Sequence, residues 1–75
     1  MSTSVIQISE TLSVLLKELG EECGRTLKLL SQIEVEDLTQ EQLAGILTEL
    51  AVSAVHLNAH TAGLQDLLND EIERM

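Results

Sequence analysis

Apolar residues recur at intervals of three and four along most of this chain, with one interruption near the middle. That interval is one turn of α-helix, so each block lays a stripe of apolar side chains along one helix face. The first stripe runs Val5, Ile8, Leu12, Leu15, Leu19, Cys23, Leu27 and Leu30. The second runs Leu43, Leu47, Leu50, Ala54, Leu57, Thr61, Leu64 and Leu68. Two successive steps of four around Cys23 depart from a strict heptad and predict a locally straighter supercoil there. The chain contains no proline, so nothing forbids long uninterrupted helices. β-branched residues never cluster at strand spacing. The fold class is all-α.

Local signals set the boundaries of two helices in a single domain spanning residues 1–75. Ser4 stands three residues before Gln7, the spacing of a capping box, and predicts a first helix over about residues 4–31, with Ser9 as the alternative start. Gly20 and Gly24 would each cost about 1 kcal/mol relative to alanine inside that helix. The stripe nevertheless passes through them in phase, which predicts one continuous helix. Lys17, Glu21, Arg25 and Lys28 form a charged row on its surface, with Glu21 and Arg25 in the favourable i to i+4 order. Residues 32–39 form the connection, with Ile33 and Val35 expected to turn inward. Thr39 and Gln42 then form a capping box, flanked by Leu38 and Leu43 at the positions of a hydrophobic staple. A second helix is predicted over about residues 40–72. A connection this short makes the helices antiparallel neighbours, a helical hairpin.

A hairpin alone leaves this sequence unsatisfied. Seventy-five residues lie near the lower limit for an autonomous core, and a chain so short normally needs a disulfide, a metal or a partner chain. Cys23 is the only cysteine, so no disulfide can form within the monomer. The second helix also carries a second apolar face: Ala44, Ala51, Val52, Val55, Ala59 and Ala62 lie largely away from the leucine stripe. A helix apolar on more than one side is buried on more than one side. Ala51, Val52, Val55, Ala59 and Ala62 are therefore expected to form a self-interface, two hairpins dimerising into a four-helix bundle. A tetramer, or a hairpin docked on a different protein, would satisfy the same surface.

Charge and composition exclude several functions. The formal net charge is −9, and no Lys or Arg interrupts the acids between Glu34 and Glu73. Such a surface repels nucleic acid and anionic lipid. The chain has no Phe, Tyr or Trp, the usual anchors of binding pockets and base stacking. Its longest charge-free stretch, Leu50 to Gln65, is too short to span a bilayer and contains two histidines and an asparagine. No Lys or Arg precedes the first apolar residues, so no secretory n-region is expected. With a single cysteine, these features predict a soluble protein of the reducing cytoplasm.

The candidate chemistry is sparse, and no cofactor is expected. His56 and His60 are four apart on one helix face, a spacing at which two imidazoles can share a metal. A stable site needs more ligands, which a second copy of the chain would have to supply, so surface or interface histidines are the plainer reading. Glu18-x-x-Glu21 and Glu34-x-x-Asp37 have the spacing of paired carboxylates that bridge Mg²⁺ and phosphates, but the second pair falls in the connection. Cys23 lies on the apolar stripe beside Glu22 and reads as a small buried filler. A strongly acidic dimer could also imitate a DNA backbone and occupy the basic site of a nucleic-acid-binding protein. The expectation is a non-enzymatic helical interaction or regulatory module that self-associates and acts by binding another protein. A metal-binding bundle built on His56 and His60, and the acidic DNA mimic, are the alternatives.

Overall fold

The computed structural model describes residues 8–75, which form three helices and no strand. Helix α1 spans Glu10–Ile33, α2 spans Gln40–Thr61, and α3 spans Leu64–Glu73. Helices α1 and α2 pack side by side as the antiparallel hairpin, and α3 continues from α2 beyond a bend.

Helix α1 starts at Ser9, whose hydroxyl accepts the Leu12 N–H and so satisfies one orphan donor of the first turn. The earlier start at Ser4 lies outside the described residues. The helix then runs unbroken through Gly20 and Gly24. A Cβ added at Gly24 would meet nothing within 4 Å. Gly24→Ala should therefore stabilise the fold by about 0.5–1 kcal/mol, read from urea denaturation. At the loop, Asp37 adopts φ 64°, reversing the chain ahead of α2. The Thr39–Gln42 capping box is complete, each side chain bonding the other's backbone N–H at 3.0 and 2.9 Å. Of the two loop residues expected to turn inward, Ile33 is half-buried and Val35 is 58% exposed.

The expected helix over 40–72 is broken. Ala62 leaves the helical region at ψ 122°, and Gly63 follows in the left-handed region at φ 74°. Just before this point, Thr61 turns its hydroxyl back onto the Leu57 and Asn58 carbonyls. Apolar periodicity runs through Gly63 in phase, so it conceals the bend; only a residue without a Cβ takes this φ readily. Gly63→Ala should destabilise by about 1 kcal/mol, the opposite sign to Gly24→Ala in the same assay. The bend brings α3 back to α1, where the Glu71 carboxylate accepts the Ser9 backbone N–H at 3.2 Å.

The seam between α1 and α2 differs from both expected stripes. On α1 the inward positions are Leu12, Leu15, Leu19, Glu22, Thr26, Leu29 and Ile33. These keep alternating steps of three and four without a fault, so the supposed irregularity at Cys23 does not exist. Cys23 is exposed, Leu27 is 65% exposed and Leu30 is 45% exposed. On α2, Ile46, Ser53 and His60 take the inward places expected of Leu47, Ala54 and Thr61, while Leu50, Leu57 and Leu64 hold theirs. The heptad continues through Glu22, Thr26, Ser53 and His60, polar residues that an apolar search passes over. The leucines and alanines beside them lie one step round each helix.

The apolar core is correspondingly thin. Among the described residues only Leu12, Leu29, Ile46 and Leu64 are buried hydrophobics, against fourteen large apolar residues left exposed. The smallest extent of the molecule is 14 Å. That is the thickness of one helix layer, whereas a stable domain normally packs two.

Candidate functional site

At the middle of the seam lies a cluster of polar groups centred on Glu22. Its side chain is 3% exposed and receives three donors or potential donors. Ser53 Oγ, from the facing helix, donates to Oε2 at 2.8 Å. Arg25 donates to Oε1 at 2.7 Å from one turn further along α1. His56 Nδ1 lies 3.3 Å from the same oxygen. Thr26 completes the layer, its hydroxyl lying against that of Ser53 and donating to the Glu22 carbonyl. The hydrogen bonds from Arg25 and then Ser53 pull the Glu22 pKa from 4.5 down to about 2, against the opposing effect of burial.

Arg25 turns to Glu22 in this arrangement, whereas sequence spacing paired it with Glu21; the buried carboxylate has fewer competing water contacts and is the stronger acceptor. A second carboxylate repeats the design at the open end. Glu71 is buried, accepts the Ser9 N–H and is paired with Arg74 at 2.7 Å. Its pKa is lowered, first by the Ser9 backbone hydrogen bond and then, against burial, by Arg74. Both anchors have the form Glu-x-x-Arg, Glu22 to Arg25 and Glu71 to Arg74. That repeat, falling on the uninterrupted heptad, was the available signal for these residues.

The cluster combines a serine, a histidine and a glutamate, yet its geometry is that of a structural lock. Ser53 gives its proton to Glu22, so the hydroxyl is not activated by His56, and Ser53 is 4% exposed. His56 is set against Glu22 at the flank of the seam, and His60 is half-buried one turn further on. Among the described residues no group of three or more His, Cys, Asp or Glu side chains is placed to hold a metal. Cys23 lies at the surface, not in the core, because its position falls one residue beyond the inward Glu22.

The heptad register also sorts the two flanks of the hairpin. Arg25 and His56 reach Glu22 from opposite helices, which marks one flank; Glu18, Gln42 and Glu49 occupy equivalent heptad positions on it. The other flank carries Leu16, Cys23 and Leu30 from α1 and Leu47 and Ala54 from α2. One flank is polar and the other is apolar, and all five of those residues are exposed. The apolar surface continues around the outside of α2, where Val52 and Val55 are 50% and 67% exposed and Ala51, Ala59 and Ala62 also lie at the surface.

No known protein family, characterised protein or solved structure matches this chain. Among the described residues, no helix is long and apolar enough to cross a membrane.

Proposed function

We propose that the protein is a non-enzymatic helical interaction module that works as a homodimer, two hairpins forming a four-helix bundle, and acts by binding another protein. The observation that carries this reading is the continuous apolar surface over one flank of the hairpin and the outside of α2. It includes Leu16, Leu30, Leu47, Val52 and Val55, all more than a third exposed on the single chain. Exposed apolar patches of this extent on small proteins mark interaction sites. The single-layer shape supports the same conclusion, since a second hairpin would supply the missing layer. The polar groups of the seam are committed to holding α1 against α2, which favours a binding role over a catalytic one.

Light scattering on a sizing column tests the proposal directly. At micromolar concentration the expected mass is twice the 8.2 kDa of the chain. A helical, cooperatively melting species with the mass of one chain would refute self-association.

A further inference from the structure

We infer that the two hairpins meet through α2 and the adjoining apolar flank of α1, with α2 central and the charged outer face of α1 left in solvent. This rests on the self-association proposed above and specifies which surface carries it. The outward faces of the two helices differ in kind. Helix α1 contains seven charged residues, and Glu10, Lys17, Glu21 and Lys28 lie on its outward face around the exposed Val14 and Leu27. Helix α2 contains two, Glu41 in its first turn and Glu49 on the polar flank of the seam. From Leu50 to Thr61 it has no acid and no Lys or Arg, and its outward positions hold Ala51, Val52, Val55, Asn58 and Ala59.

Charge is compatible with a second copy as the occupant. Each chain carries −9, so most ways of pairing two chains bring acids together. Apposing α2 on α2 does not, because the surfaces that meet are uncharged. A basic partner would find no carboxylates on this face to recognise. Size fits as well: α2 is about 33 Å long, and with the adjoining apolar flank of α1 it offers a strip two helices wide, roughly 700 Å². A stable interface needs about 800 Å² from each partner. The small side chains Ala51 and Ala59 allow close approach of the helix axes, with Val52 and Val55 as the knobs between them.

The test compares outward substitutions on the two helices, by light scattering and circular dichroism on the full chain. Val52→Glu with Val55→Glu should reduce the mass from two chains to one with helicity retained, because both side chains are exposed on the single hairpin. Lys17→Glu with Lys28→Glu should leave the mass at two chains. Should the valine pair lose helicity, Val55→Ser alone should still raise the concentration for half-dissociation about tenfold or more. An α2 variant that keeps the wild-type mass, or an α1 variant that loses it, would overturn the central placement of α2 while leaving self-association intact. A wild-type protein of one-chain mass would overturn both, and the face would then belong to a different protein.

Discussion

Ile46→Ala is expected to destabilise the hairpin by about 3 kcal/mol, enough to unfold much of the population at room temperature. Ile46 is 8% exposed on α2 and is one of only four buried hydrophobic residues among those described. Truncating it removes three carbons from the seam and leaves a void that two helices and a short loop have little means to refill. In a larger domain the same loss is shared among many layers; here there is one layer, so one cavity is a large fraction of the stabilisation. Thermal melts at concentrations below association would show it. Val14→Ala, at a position 50% exposed on α1, should shift the melt little, and Leu47→Ala should shift it less than Ile46→Ala. The reverse order for Ile46 and Leu47 would mean that the seam follows the leucine stripe after all.

The second large effect is a dependence on acid that belongs to Glu22. Its folded-state pKa is about 2 against an ordinary 4.5, so its carboxylate favours the folded state wherever it is ionised in both states. That contribution is fully present above about pH 4.5 and is lost progressively as the pH falls toward 2. Glu71, also lowered, acts in the same direction. Acidification simultaneously relieves the repulsion within a chain of net charge −9, which favours the compact state, so the wild-type curve alone mixes two effects of opposite sign. The comparison with Glu22→Gln separates them. At pH 7 the wild type should be clearly the more stable, and the gap should close as the pH is taken from 4.5 to 2. A gap that stays constant over that interval would show that the carboxylate charge contributes nothing to the seam.

A buried carboxylate at the centre of a small core is costly to desolvate, and a pair of well-packed apolar residues in its place is often at least as stable. What Glu22 adds is discrimination among registers. Sliding α1 by one heptad toward the loop would set Glu22 against Ile46 and Glu49 in place of Ser53 and His56, and leave Arg25 of its own helix as its donor. An apolar seam made of leucines would accept several such registers almost equally. The Glu71–Ser9 contact has the same property at the open end, where α3 meets the start of α1.

Local structure was decided by the sequence. The Thr39–Gln42 capping box, the continuity of α1 through two glycines, the all-helical class and the antiparallel hairpin all follow from interactions within a few residues or from helical periodicity. Such signals are legible because cause and effect lie within one or two turns. Tertiary structure decided which of two neighbouring stripes became the seam. Leu27, Leu30 and Leu47 are better apolar residues than Glu22, Thr26 and Ser53, yet they face outward. The physical reason is that Glu22 meets Ser53 and His56 only when α1 and α2 are together, and Glu22 lies 31 residues from Ser53 in the chain. A periodicity search ranks each residue by its own hydrophobicity and has no means of seeing a partner on another helix. The bend at Gly63 was hidden for a related reason, since the contact that α3 makes beyond it, with the Ser9 N–H at the start of α1, lies 62 residues away in the chain.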